Sequence, residues 1–499
     1  MSEHFDVIIV GAGLSGIGAA HHLTTRCPGK SFAILEGREA IGGTWDLFRY
    51  PGIRSDSDMY TLGYSFKPWK ERKAIADGPA ILAYIRETAR EDGIESKIRF
   101  GCRVVRASWS SERAAWTVEA ERGPSKELVR FTCNFLLMCS GYYDYDKGYT
   151  PEFSGTERFQ GRVVHPQFWT DDVEYRGKRV VVIGSGATAV TLVPELAKEA
   201  AHVVMLQRSP TYVVSLPSQD VIARWLQQRV PSQVAYEVTR WKNVLVGMFF
   251  YQLARRRPEG VKKRLVDLVR GQLGSDYDVD KHFTPRYNPW DQRLCVVPDG
   301  DLFEAVKAGK ASVVTDHIET FTEKGLRLVS GEELEADLIV MATGLRLLFL
   351  GGMEVVVDGR RMESSKLLSY KGVMFSDVPN LACAFGYTNA SWTLKADLVS
   401  EYVCRLLTHM DAMGARRCTP RRSDSDMEEL PLLDFSSGYV QRAVGAFPRQ
   451  GSKKPWKVNQ NYLLDIAALR FGEVDDGTME FAGTTSAGAE VRPHAGATP

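Results

Sequence analysis

Phe5-Asp6-Val7-Ile8-Ile9-Val10-Gly11-Ala12-Gly13-Leu14-Ser15-Gly16 decides the architecture of this chain. Phe5–Val10 is a short, β-branched apolar run, the pattern of a buried strand. The glycines come next at the spacing of a dinucleotide turn. Gly11 permits the tight turn, Gly13 lets backbone approach a pyrophosphate, and Gly16 lets the next helix pack close to the strand. A helical pattern runs on through Ala20 and Leu23. A second strand, Ser31–Leu35, ends at Glu36, 20 residues beyond Gly16. A carboxylate there can accept hydrogen bonds from ribose hydroxyls. Strand, turn, helix and strand together make this a nucleotide site and not a solvated glycine turn.

The same phrase recurs in mid-chain. Arg179–Ile183 predicts a strand, and Gly184-Ser185-Gly186-Ala187-Thr188-Ala189 is a GxGxxA loop. A helix through Leu196 and a strand His202–Leu206 come after it. Where an acid would suit NAD, this unit carries Arg208 and Ser209, a positive fork and a hydroxyl suited to a 2′-phosphate. The alternative for Arg208 is an ordinary surface charge. Two more strands end alike, Phe135–Met138 before Cys139-Ser140-Gly141 and Asp337–Met341 before Ala342-Thr343-Gly344. Each could return to its own nucleotide. The expected fold is α/β, with two Rossmann-like dinucleotide-binding domains and a helical insertion. The expected boundaries are 1–150 for the first part of one domain and 151–218 for the first part of the other. The insertion spans 219–280. The second domain resumes over 281–380, the first over 381–482, and 483–499 reads as a flexible tail rich in Gly, Ala, Thr and Pro.

Composition excludes several classes. The 499 residues suit two or three domains, and a net charge of +1 gives no electrostatic case for nucleic acid. The eight cysteines show no CxxC pair or zinc-type spacing, which points to buried thiols in a reducing cytosol and to no metal. The sequence begins without the basic and apolar regions of a signal peptide, and it has no apolar run long enough to span a bilayer.

The stretch after the first loop narrows the chemistry. Gly42-Gly43-Thr44-Trp45 lets backbone approach a flat ring system, and Arg49-Tyr50-Pro51-Gly52-Ile53-Arg54-Ser55-Asp56 comes next. This order resembles the class B flavin monooxygenases. Phe159, Gly161, His165 and Trp169 also fall in register with the fingerprint of the type I Baeyer–Villiger monooxygenases, although Thr170 precedes Asp171 where Pro or Asp is expected next. The segments GGTWDLFRYPGIRSDSDMYTLGY, GSGATAVTLVP, QRSPTYVVS, YNPWDQRLC and GYTNASWTLKADLVSE extend the resemblance from near the start to about residue 402.

The resemblance implies FAD in the first site and NADPH in the second. It implies that NADPH reduces the flavin, and that a flavin peroxide inserts oxygen into ketones or passes it to sulfides. It places Gly43, Thr44, Trp45, Asp56, Tyr60 and Asn389 with Gly11, Gly13, Ser15, Gly16 and Glu36 around FAD. It places Ser185, Ala187 and Thr188 with Gly184, Gly186, Arg208 and Ser209 around NADPH. Arg293 matches the family's active-site arginine, and Asp56 the acid that holds it. An arginine suits that task because it stays charged when desolvated. Taken without the family, an Arg–Asp pair reads as structural. His165 likewise reads as a structural linker residue. Many relatives carry Lys just before the arginine, and here that position is Gln292.

Competing readings are a heteroatom monooxygenase with little ketone activity, an NADPH–disulfide reductase, and a flavin-binding sensor. The cysteine spacing disfavours the reductase, and Arg293 with Asp56 disfavours the sensor. The insertion mixes Trp241, Leu245, Phe249 and Phe250 with Arg240, Lys242, Arg255, Arg256 and Arg257. It predicts either a helix packed on the NADPH domain with a solvated basic face, or a peripheral membrane contact.

Overall fold

A computed structural model describes residues 3–422, 427–433 and 435–483; the expected tail beyond Gly483 lies outside them. Strand β1 (Glu3–Val10), helix α1 (Leu14–Arg26) and strand β2 (Phe32–Leu35) form the first unit. β1 runs parallel to β2, pairing Val10 with Leu35, and parallel to β3 (Glu127–Met138), pairing Val10 with Met138. Val7, Ile8 and Ile9 have no exposed surface. Parallel strands covered on both faces need such unbroken apolar runs. Helix α1 covers one face through Ile17, Ala20 and Leu23, all essentially buried.

The second unit repeats the plan. Strand β4 (Arg179–Ile183) and strand β5 (His202–Gln207), joined through helix α2 (Ala187–Leu196), lie in a five-stranded parallel sheet with β6 (Ala311–Thr315) and β7 (Leu338–Met341). The fifth strand is Arg162–Val164, parallel to β7. Ile183 pairs with Leu206 on one side and Met341 on the other, as Val10 does with Leu35 and Met138.

The chain rejoins the first sheet earlier than residue 381. Glu354–Val357 already pairs parallel with Arg106–Trp109 of that sheet. Val355 and Val356 are buried there, so this apolar run belongs to the first core. Leu381–Cys383 then pairs with Leu136–Met138. The two crossings between the units meet as a small antiparallel ribbon, Tyr143–Gly148 against Leu345–Leu347.

The insertion is helical, but it does not rest on the second unit alone. Helix α3 (Ser232–Arg256) lies against the first unit: buried Arg240 donates to the carbonyls of Tyr60 and Gly63, at 2.8 Å each. Helix α4 (Pro258–Leu273) buries Val266 and Val269 in the core of the second. A buried guanidinium needs such acceptors, and these carbonyls draw α3 to the first unit. The long helix α5 (Trp392–Met413) packs on α1. Among the described residues no helix is long and apolar enough to cross a membrane. All eight cysteines are free and buried.

Candidate active site

The two glycine loops face one cavity of about 940 Å³. Ligand sites commonly enclose roughly 300–1,000 Å³, so this one is large. Gly11 and Gly13 line one end, and Gly184 and Gly186 the other.

The loops are closed in the same way. The Gly11 N–H donates to the Leu35 carbonyl and the Gly184 N–H to the Leu206 carbonyl, each at 2.8 Å. Gly11 has φ +103° and Gly184 φ +136°, where L side chains are strained. A Cβ on Gly11 would sit 2.7 Å from the Cys139 carbonyl oxygen, and one on Gly184 2.2 Å from that of Ala342. Each loop therefore abuts the parallel strand end expected to return to it. At Gly16 a Cβ would fall 1.8 Å from the Gly11 oxygen, so only glycine lets α1 approach.

Neither α1 nor α2 has a side-chain N-cap. Their first N–H groups are left for an anion at each helix end. Glu36 is buried; its carboxylate accepts from the backbone N–H of Ala12 at 2.6 Å and of Arg38 at 2.9 Å. Burial pushes its pKa up, against the pull of those two N–H groups and Arg38. The cradle, the free helix ends and the acid at the strand end fit a dinucleotide at the first loop.

Most of the expected first-site residues reach the cavity: Ser15, Gly43, Thr44, Trp45 and Asp56 line it. Gly16 stands just behind the wall. The Ser15 hydroxyl accepts from the Trp392 indole at 2.7 Å, which brings the segment Tyr387–Trp392 to the first loop. Tyr60 and Asn389 are placed elsewhere. Tyr60 is buried under the insertion, 5.9 Å from the Tyr236 ring. The Asn389 amide donates to the Gln460 carbonyl at 2.9 Å, off the cavity lining. In the second half Ser185, Ala187, Thr188, Arg208 and Ser209 all line the cavity, with Gln292 nearby on the wall.

Between the halves, Arg293 grips Asp56. Its Nε and one terminal nitrogen donate to the two carboxylate oxygens at 2.8 and 2.9 Å. The Arg293 side chain keeps 43% of its surface exposed and lines the cavity with Tyr142, Tyr143 and Tyr439. The Asp56 carboxylate, against the cost of burial, raises the arginine pKa well above its usual value, so the cation is permanent. Burial raises the Tyr143 phenol to about 12, which leaves it a neutral donor.

The loop carrying Arg293 is strained and clamped. Trp290 has φ +66°, an uncommon backbone for a bulky residue. Next to it, Asp291 accepts from Arg255 of α3 at 2.8 Å, and its carbonyl accepts from the Ser436 N–H at 3.0 Å and hydroxyl at 2.8 Å. Arg54 is ion-paired with Asp301 of the second unit. Neither clamp was visible in the sequence, because their partners lie far off along the chain.

The Phe159–Trp169 segment is structural in its packing. Phe159 and Trp169 are buried, and a Cβ on Gly161 would strike the Phe159 ring. His165 Nδ1 accepts from the Gln167 N–H, so Nε2 carries the proton and donates to the Gly344 carbonyl at 3.2 Å. Burial lowers the His165 pKa, which keeps the ring neutral. It ties together the two crossings between the units.

Comparison with known proteins agrees with this geometry. A model of flavin-binding monooxygenase-like proteins matches residues 74–384, and one of NAD(P)-binding Rossmann-like domains matches residues 9–70. The chain is 55% identical over 483 residues to the FAD-containing monooxygenase EthA of Mycobacterium tuberculosis, covering 97% of this chain and 98% of that one. It is 48% identical to the probable FAD-binding monooxygenase AlmA of Acinetobacter baylyi, covering 96% and 97%. Among solved structures, an oxidized steroid monooxygenase bound to NADP superposes with a TM-score of 0.73 at 22% identity, covering 96% of this chain and all of that one. An open form of cyclohexanone monooxygenase gives 0.70 at 20% identity, covering 84% and 90%. At those identities the two structures speak to the fold alone. With the family model spanning well over half the chain and these relatives nearly all of it, the protein belongs to the flavin-binding monooxygenase-like family and is a monooxygenase enzyme.

Proposed function

We propose that this enzyme uses FAD and NADPH to insert one atom of O2 into ketones, giving esters or lactones, and that it also oxidises sulfides to sulfoxides. For a ketone the balance is ketone, O2, NADPH and a proton in; ester, NADP⁺ and water out. The observation that carries this reading is the Arg293–Asp56 pair, open to the cavity between the two glycine loops. FAD fits the half holding Gly11, Gly13, Ser15, Glu36, Gly43 and Thr44, with Gly16 packing behind. NADPH fits the half holding Gly184, Ser185, Gly186, Ala187, Thr188, Arg208 and Ser209. Bound there, the cofactors would supply two electrons and activate O2.

The chain's own residues supply charge and position. Arg293 presents a fixed cation where negative charge develops on oxygen during attack on a carbonyl. Asp56 holds two of its five N–H groups, which aims the remaining donors into the cavity. The Tyr142 and Tyr143 rings wall this region, and less water there strengthens the arginine's field. Oxygen transfer to a sulfide builds no such charge on a carbonyl oxygen, so Arg293 matters less for it.

The test offers the holoenzyme a panel of ketones and sulfides. The expected result is ester and sulfoxide from the native protein, with ester lost and sulfoxide largely kept in Arg293→Ala. Sulfoxide alone from the native protein would favour a heteroatom monooxygenase. Ester undiminished in Arg293→Ala would remove Arg293 from the reading.

We also infer that the insertion contacts an anionic lipid surface. Val221, Ile222, Trp225, Leu245, Phe249 and Phe250 are each about half exposed or more, on two helices that touch. Arg224, Arg229, Arg256, Lys262 and Lys263 surround them in sequence. A two-fold contact with a second copy would set these cations against each other, whereas anionic headgroups neutralise them. The native protein should sediment with vesicles containing anionic lipid and less with purely zwitterionic ones, and Phe249→Ser/Phe250→Ser should weaken this. Absence of binding to the anionic vesicles, or a dimer lost in the same variant, would overturn it.

A further inference from the structure

Arg208 is the one cation that the sequence offers for a 2′-phosphate, since Gln292 stands where many relatives carry Lys. The folded chain brings a second. Arg442 comes just after the short helix Gly438–Gln441, in the C-terminal part of the chain, yet it lines the same cavity as Arg208. Its guanidinium lies on the Tyr149 ring, with Cζ 3.4 Å from the centroid. The group is also hemmed by glycines. A Cβ on Gly438 would come 3.3 Å from one terminal nitrogen, and a Cβ on Gly344 3.7 Å from the other.

A stacked guanidinium is held flat while its N–H edge stays free. Neither the Arg442 nor the Arg208 side chain has an ion pair or a hydrogen bond among the described residues. Two such cations lining one cavity form a site for an anion. Burial, and after it the Arg208 charge, lower the Arg442 pKa, while Tyr149 opposes them. An anion bound between the two would relieve that repulsion.

We propose that Arg442, stacked on Tyr149, recognises the 2′-phosphate of NADPH together with Arg208, in place of the lysine that Gln292 replaces. This rests on the reading of the second loop as the NADPH site. The chemistry is that of a phosphate monoester dianion, which two guanidinium groups can hold by charge-assisted hydrogen bonds. The pyrophosphate belongs elsewhere, at the N-terminus of α2, whose first N–H groups no side chain caps. The proposal also gives the C-terminal segment a role in nucleotide choice. Arg442 would hold the same phosphate as Arg208 and so couple that segment to coenzyme binding.

The experiment uses the FAD-loaded protein and its Arg442→Ala, Arg442→Lys and Arg208→Ala variants. Adenosine 2′,5′-bisphosphate is titrated by calorimetry, and KM is measured for NADPH and for NADH. Loss of a hydrogen-bonded charge is worth about tenfold or more in affinity. Arg442→Ala is therefore expected to weaken the bisphosphate by about tenfold and to raise the NADPH-to-NADH ratio of KM values by a similar factor. Arg442→Lys should recover part of this, because it restores the charge without the stacked fork. If both KM values shift together, Arg442 contacts a part common to the two coenzymes and the proposal falls. It also falls if neither value nor the bisphosphate affinity moves. Should Arg208→Ala shift the ratio while Arg442→Ala does not, this inference alone fails. Should neither variant shift it, the placement of NADPH at the second loop fails with it.

Discussion

Arg293 and Asp56, 237 residues apart in sequence, meet as a two-point ion pair at 2.8 and 2.9 Å. The geometry sets a direction as well as a charge. Arg293→Lys keeps the cation but cannot reproduce the fork. Removing one preorganised donor at such a site costs about 10²–10³ in kcat. Ester formation by Arg293→Lys and by Asp56→Asn should fall within that range, and more steeply than coenzyme oxidation does. Product formed per NADPH consumed checks this, and an unchanged ratio in both variants would show that the pair does not steer oxygen transfer.

Asp291 holds the loop that presents Arg293, through Arg255 on one side and Ser436 on the other. The strained Trp290 backbone persists only if its surroundings impose it. Asp291→Ala should lower kcat for ester formation without a matching rise in the KM for NADPH. Arg255→Ala should do the same more weakly, because its own charge is half exposed. The double variant should be no worse than Asp291→Ala, since both changes cut one link. Additive losses would separate the two residues.

Both nucleotide units were legible because the signals are local. The strand, glycines, helix and the charged residue after the second strand (Glu36 in one, Arg208 in the other) lie within about 36 residues in each. The expected strand ends at Cys139 and Ala342 do close on Gly11 and Gly184. What escaped depends on distant pairing. Tyr60 and Asn389 lie in segments that approach the cavity, yet their side chains answer to Tyr236 and Gln460. The return of Glu354–Val357 to the first sheet is a choice of partner among several apolar runs. Arg442 reads in sequence like any exposed arginine, and only the fold sets Tyr149 beneath it.

Asp397 of α5 joins three elements. It accepts from the Ser65 N–H at 3.0 Å, sits 3.4 Å from His22 of α1, and lies 3.6 Å from Arg240 of α3. Burial alone would raise its pKa, but His22, Arg240 and the Ser65 N–H together bring it below the usual value. A carboxyl whose folded pKa is depressed stabilises the fold above its unfolded pKa, near 3.9, and that stability is lost as pH falls through the folded value. The urea midpoint of the native protein should therefore drop below about pH 4 by a component that Asp397→Asn lacks. At pH 7 the same variant should be less stable by about 3–5 kcal/mol, because Arg240 is left buried and unpaired. Parallel midpoint-against-pH curves would remove Asp397 from acid unfolding.

Gly11 and Gly184 offer a way to take the two nucleotide halves apart. Alanine at either position meets a positive φ and a carbonyl oxygen, at 2.7 Å for Gly11 and 2.2 Å for Gly184. Each strand end must move, and it moves the loop beneath a different nucleotide. Gly11→Ala should purify with little flavin, read from its visible absorbance, while still binding adenosine 2′,5′-bisphosphate. Gly184→Ala should retain flavin, yet its flavin should be reduced by NADPH at least tenfold more slowly, since a displaced backbone at a tight site costs well over 1.4 kcal/mol. Dithionite would still reduce it at the native rate, because that reagent needs no nucleotide cradle. If both variants lost flavin equally, the cavity would act as one site, and the division between its halves would be wrong.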